Sequence, residues 1–441
     1  MRLSSAVVRV TRTARRWKVI DHARRRSDSC SDRLRDCVLT GQINNPPAVE
    51  SSATYRPAIP RITPERKLGM ENMKKNDFFL VAALVLVLGF TSASSEAQTF
   101  RQLKLAPDAL TSSALFGFVT ASSQQVLAVG APLQSSVYLY VRNGSNWVPD
   151  GVITDFGLGN GVAVDGNVVA LSSARGPLVY SRQNGSWVQQ AQLTNNAASG
   201  FGAIGMRKGR VAAASNGAVF IFEQNELTLA WSQVAQLTVP GGSGSGFGIS
   251  LSLTDNTLAV GEPFVNGGTG AVHVYTPQAG FWTEQAVLHS NDSVGGTNFG
   301  LGLSVSGNTI VVGAPGPGFD GDLPGWAFVF VSDHGLWAQQ ARLESPSLAP
   351  EQDFGTSLAL IGNTLLVGAY ENNNDIGTAH IFVRSGSSWS LTASLFPDDG
   401  TPGQRFANNV TMPDANTFVC SSPTASLPDK FNAGAVYVYQ K

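Results

Sequence analysis

Carboxylates gather late in this chain. Between residues 264 and 432, the polar segments that vary in length carry Asp292, Asp320, Asp322, Glu344, Glu351, Asp353, Glu371, Asp375, Asp398, Asp399 and Asp429, against only Arg405 and Lys430. A surface of one sign recognises a basic or cation-bridged partner through complementary charge. Asp320, Asp322, Glu371, Asp375, Asp398 and Asp399 are the residues expected to make that contact. Asp320-Gly321-Asp322 and Glu371-x-Asn373-x-Asp375 place oxygens on alternate residues, a spacing calcium uses. Neither has the rest of the roughly six to eight oxygens that calcium requires, so both read as turns and no cofactor is expected. Catalytic patterns are scarce. There is no Gly-x-Ser-x-Gly elbow, no phosphate-binding glycine loop and no Cys/His cluster. His273 and His380 alternate with apolar neighbours and read as strand residues rather than metal ligands. Asp398-Asp399, adjacent in sequence, read as a solvated loop.

The elements that position these residues are repeats. Phe-Gly occurs at Phe116, Phe156, Phe201, Phe247, Phe299 and Phe354, with a seventh copy as Phe406-Ala407. Fourteen residues beyond the Phe comes a small-residue stop: Gly130-Ala131-Pro132, Gly261-Glu262-Pro263, Gly313-Ala314-Pro315 and Gly368-Ala369, with degenerate forms at Ser215 and Cys420. Read from Phe156, the second copy has two more residues and reaches Ser172. Between the landmarks the pattern is strand, two-residue turn, strand, as in Leu301 to Val312 around Gly307-Asn308. A third strand follows, as in Ala271-Val272-His273-Val274-Tyr275. A fourth runs from a Trp to a Leu, as in Trp337 to Leu343. Four strands, seven times, predict a seven-bladed β-propeller of antiparallel blades. The seventh copy stops after its third strand, while Phe100 to Leu105 matches the fourth-strand pattern ahead of the first Phe-Gly. The N-terminal strand should therefore complete the last blade and close the ring. The repeated Trp reads as packing between blades.

These landmarks resemble the FG-GAP repeat family, the blades of integrin alpha-subunit propellers and of many secreted relatives, over about residues 98–441. The resemblance implies a propeller and extracellular binding or adhesion. Calcium-binding members carry an Asp-x-Asp-x-Asp-Gly-like loop between the two landmarks. Here Gly307-Asn308 and Gly362-Asn363 stand in that interval as bare turns, so calcium, though a family property, is not carried over.

The front of the chain differs from the rest. Residues 1–97 hold 17 Lys/Arg against 9 Asp/Glu, and residues 98–441 hold 13 against 22, which excludes a basic nucleic-acid-binding domain in the larger part. Lys74 and Lys75 precede an apolar run from Phe78 to Phe90, followed by small residues with Ser95 and Ala97 at a cleavage-type spacing. Residues 73–97 are read as a signal peptide, because the run is shorter than the roughly 20 residues a bilayer needs. Residues 1–72 are read as an unstructured basic segment upstream of the functional start, and an uncleaved signal anchor as the alternative. Cys30 and Cys37 fall in this front part, leaving Cys420 alone and no disulfide framework. Asn143, Asn184, Asn291 and Asn409 open glycosylation sequons, although Asn-Gly-Ser also suits a tight hairpin. The expectation is a secreted or cell-surface, non-catalytic binding or adhesion module that meets an extracellular protein or glycan through the loops of blades four to seven. An enzyme on extracellular carbohydrate, with carboxylates from several blades as acid and base, is the second reading, and a matrix or envelope component the third.

Overall fold

A computed structural model describes residues 99–441 apart from 195–199, 293–294, 317–324, 347–352 and 372–374. The upstream segment, the expected signal peptide at residues 73–97, Cys30 and Cys37 lie outside the described residues. Seven four-stranded antiparallel sheets follow one another around a ring. Blade five is typical: Gly302–Ser306 innermost, then Thr309–Ala314, Trp326–Asp333 and, at the rim, Leu336–Glu344. Thr309–Ala314 is buried throughout and Trp326–Asp333 over its first five residues, because these strands have neighbouring blades on both faces. The rim strand alternates and carries polar residues outward.

The hydrophobic core is divided among the interfaces between blades. Its seven clusters each join two adjacent blades, with Phe299 and Phe328 between four and five, and Phe354 and Leu365 between five and six. Each buried Phe contributes about 1.5 to 3 kcal/mol of transfer free energy. The rim tryptophans pack into these clusters, as the sequence led us to expect.

The two landmarks form one knot at each seam. Within a blade, the amide after the landmark Phe donates to the carbonyl of the small-residue stop: Gly117 to Gly130 at 2.9 Å, Gly300 to Gly313 at 2.9 Å, Gly355 to Gly368 at 3.0 Å. Across the seam, the carbonyl of Gly355 lies against the Cα of Gly313, where any side chain would collide with it. A third glycine, such as Gly377 before the third strand, admits the carbonyl of the next Phe, Phe406, in the same way.

This knot corrects three repeat boundaries. In blade two Phe156 is 74% exposed, whereas Leu158 is fully buried and Gly159 supplies the carbonyl against Gly130. Leu158-Gly159 is thus the true landmark, and Ser172 lies the usual fourteen residues beyond it. In blade three Gly202 bonds to Ala214, one residue before Ser215; in blade seven Ala407 bonds to Ser421, one residue after Cys420. Blade seven absorbs its extra residue in an irregularity between Thr411 and Asp414.

The N-terminal strand Arg101–Leu105 pairs along its whole length with Ala435–Gln440 and forms the rim of blade seven, as expected. Phe116 adds a bridge to Gly434 across the same seam. Asn409 Oδ1 accepts from the Thr120 amide at 2.8 Å, tying blade seven to blade one near the centre. The innermost strands surround a central cavity of about 990 Å³ lined by Val164, Met206, Leu253, Leu360 and Met412, among others.

Candidate partner-binding face

Up-and-down strands send the second-to-third connections and the links between blades to one face, and the hairpins to the other. The loops over residues 371–377 and 396–405 meet on the first face. The Arg405 amide donates to the Asp375 carbonyl at 2.9 Å, and the Phe406 amide to that of Ile376 at 2.7 Å. Loop variation on such a rigid ring is where recognition concentrates.

Asp353, Tyr370, Glu371, Asp375 and Arg405 come together there. Asp353 precedes a landmark Phe, a position that takes the left-handed conformation (φ 65° here, 54° at Asn298, 55° at Arg405), which turns its side chain inward until 7% remains exposed. Glu371 follows the stop of blade six, and its side chain is 10% exposed. The two carboxyl groups are hydrogen-bonded to each other. Burial, reinforced by repulsion from Asp353, pushes Glu371 up to about 7. Burial also raises Asp353. Both carboxyls of the pair are therefore biased toward their protonated forms. The guanidinium of Arg405 lies 3.9 Å from Glu371 and over the Tyr370 ring at 5.5 Å. Burial, with Asp353 and Glu371 nearby, raises the Tyr370 phenol as well.

The other carboxylates divide into held and free. Asp399 bonds to Lys104 at 2.5 Å and to the Tyr437 hydroxyl at 2.8 Å; these bonds outweigh burial and leave its carboxyl below the usual range. Asp292 and Glu344 share Arg342 at 2.9 and 2.6 Å. Lys104 and Arg342 belong to rim strands, so counting charge in the loops alone overlooks them. Asp398 is exposed, Asp375 half-buried, and Asp320, Asp322 and Glu351 lie outside the described residues.

Gly307-Asn308 and Gly362-Asn363 are two-residue turns, as read from sequence, and their side-chain amides serve the backbone of Ser332 and the guanidinium of Arg384. This does not fit the oxygen cage of a calcium loop. No group of three His, Cys, Asp or Glu among the described residues is placed to hold a metal ion. No helix among them is long and apolar enough to cross a membrane. Cys420 is a buried free thiol, raised by burial. Of the sequons, Asn143, Asn184 and Asn291 are exposed, whereas Asn409 is committed to Thr120.

Residues 282–330 and 337–382 match the FG-GAP repeat model, and the seven-bladed β-propeller is consistent with FG-GAP repeat proteins, a fold that suggests a binding or adhesion type of module. FG-GAP propellers are typically non-catalytic, and such domains occur in extracellular and cell-surface proteins. No curated protein matches the chain. Among solved structures, a chain of the crystal structure of the mitotic checkpoint complex aligns with a TM-score of 0.53 at 12% identity, covering 77% of this chain and 93% of that one. The Saccharomyces cerevisiae protein Sqt1 aligns at 0.47 and 14% identity, covering 73% and 83%. At such identity the likeness is one of fold.

Proposed function

We propose that this propeller is a secreted or cell-surface module that binds a basic or cation-bridged extracellular partner, without turnover, on the face formed by blades six and seven. The supporting observation is the juxtaposition of Glu371, Asp375 and Asp398 on two touching loops with Asp353, which precedes the landmark Phe354, and with Arg405 and the Asp399-bound Lys104 as cations there. Such an imbalance speeds the approach of a positive partner and disfavours a negative one. Export rests on the signal-like residues 73–97, and exposed Asn143, Asn184 and Asn291 are the candidate glycan acceptors. The carbohydrate-cleaving alternative is the weaker one. Glu371 and Asp353 are hydrogen-bonded to each other, whereas glycoside hydrolysis uses carboxyls about 5 Å or more apart.

The test is binding of the purified protein to extracellular proteins, basic peptides and matrix glycans, with product analysis in the same wells and calcium present or chelated. The combined variant Glu371→Gln, Asp375→Asn, Asp398→Asn should weaken binding of the positive partner roughly tenfold or more and slow its association. Asp399 is left alone because it holds Lys104 and Tyr437. Undiminished binding by a folded variant removes the face, and product formation replaces the module reading with an enzyme.

A further inference from the structure

The seven blades act as one another's controls, and at two of three contacting positions, those of Glu262 and Glu284, blade four departs from all the others, while at the third it shares a histidine with blade six alone. The residue after the small-residue stop is Ala131, Ser173, Ser215, Ala314, Ala369 or Ser422 elsewhere, but Glu262 here. The residue paired one step before the stop is Tyr138, Leu178, Phe220, Phe328, His380 or Tyr437 elsewhere, and His273 here. The rim residue opposite the second aromatic is Pro149, Gln189, Gln233, Gln339, Leu391 or Gln102 elsewhere, but Glu284 here. Packing therefore does not call for charge at these places, since six blades are built with neutral residues at the two carboxylate positions.

In blade four the three side chains form a line across three strands. His273 Nε2 lies 2.9 Å from Glu262 Oε2, and Nδ1 lies 3.4 Å from Glu284 Oε2. The Glu262 and His273 side chains are 6% and 10% exposed. Each contact between a ring nitrogen and a carboxylate oxygen needs one proton between the atoms, so the line is satisfied only when it holds two. With one proton, lone pair faces lone pair at one of the two contacts, an unmet polar contact that is buried at Glu262 and open to solvent at Glu284, whose side chain is 41% exposed. Phe247 stands edge-on to the imidazole at 5.4 Å and offers no substitute donor. The ionisable neighbours are Tyr275, whose hydroxyl bonds to the Glu284 carboxylate, and, farther along the blade-three side, Arg210, held by Glu223 at 2.8 Å and lying over Trp282.

Glu262 ends its strand, and residues 263–270 follow directly. That loop bonds through the Gly267 and Gly268 carbonyls to the amides of Gly296 and Asn298 in the link to blade five. We propose that Glu262, His273 and Glu284 form a proton-operated clamp, which holds the 263–270 loop while two protons occupy the line and loosens it when one leaves. The clamp acts whatever partner the acidic face takes.

Hydrogen exchange and histidine-ring NMR on the full chain test this between about pH 5 and about pH 9, where imidazoles change charge. After correction for intrinsic rates, amides of residues 264–270 should exchange roughly tenfold or more faster at the high end, the cost of one buried contact left unmet. The change should track loss of the second His273 ring proton. Glu262→Ala/His273→Phe/Glu284→Gln restores residue types found in the other blades and should abolish the pH dependence. Should that variant not fold, Glu284→Gln alone should reduce it. Equal pH dependence in wild type and variant, or loop exchange that changes while the His273 ring keeps one protonation state, overturns the clamp.

Discussion

Glu371 titrates far from its ordinary value because burial and the Asp353 carboxylate both oppose its charge, and Arg405 offsets them only in part. A carboxyl raised on folding contributes stability that is fully present below its unfolded value, 4.5, and lost as pH rises to about 7. Glu371→Gln keeps a donor for Asp353 but has nothing to titrate. Its melting temperature should lose the decline expected of wild type across that window, and above the window it should exceed wild type. Thermal melts in matched buffers check this, and parallel curves contradict it. Glu371 and Asp375 were legible as candidates because alternate acidic residues after a strand stop must lie in a loop. That Asp353 would turn inward was not legible, since the left-handed backbone before each landmark Phe is filled by Leu115, Gly200, Gly246, Asn298, Asp353 and Arg405, which share no side-chain property. Nor was the capture of Asp399 by Lys104, a contact between residues 295 positions apart.

At the scale of elements, strand count and ring closure were legible because hydrophobic period and the missing final strand each constrain them. The landmark in blade two was not, because Phe156-Gly157 satisfies the motif while Leu158-Gly159 satisfies the packing. Rim strands hold a further device. In six blades the third and fourth strands slip register by one residue at the same place, and Arg101–Leu105 alone pairs without a slip. Such a bulge re-aims a side chain. The skipped residue in blade one is Asp150, which reaches Trp187 Nε1 at 2.8 Å and Arg182 of blade two; in blade five it is Gln340, which accepts from Trp389 of blade six at 3.1 Å. The Arg182 bonds hold the Asp150 carboxyl below the usual range. Deleting residues 99–105 should strip blade seven of its rim, expose the edge of Ala435–Gln440, lower the melting temperature by roughly 10 °C or more and promote aggregation. A peptide of residues 99–106 added in trans should restore part of the loss. Unchanged melting and solubility would show that the strand is dispensable.

Among the described residues the core lies in the seams between blades, and the seven seams are shared in a closed cycle. Loosening one should therefore weaken all, and appear as a shift of one transition rather than as a second one. Gly313→Ala is the sharpest probe, because its methyl would overlap the Gly355 carbonyl at the seam between blades five and six. It should cost about 3 kcal/mol or more by forcing the seam apart. Gly307→Ala, at a hairpin tip with open space around it and φ 59°, should cost only about 1 to 2 kcal/mol for its left-handed backbone. Calorimetry distinguishes them, and two separate transitions in Gly313→Ala would contradict the shared cycle. The pairing of Arg101 with Gln440 also sets a clock on biosynthesis. The strand made first waits for the one made last, and at roughly 5 to 20 residues per second the intervening chain takes about 20 to 70 s to appear. Throughout that interval Arg101–Leu105 lacks its native partner, so the quality of the finished ring depends on what shields this segment on the ribosome. Moving it to follow Lys441 would leave the same ring with no wait.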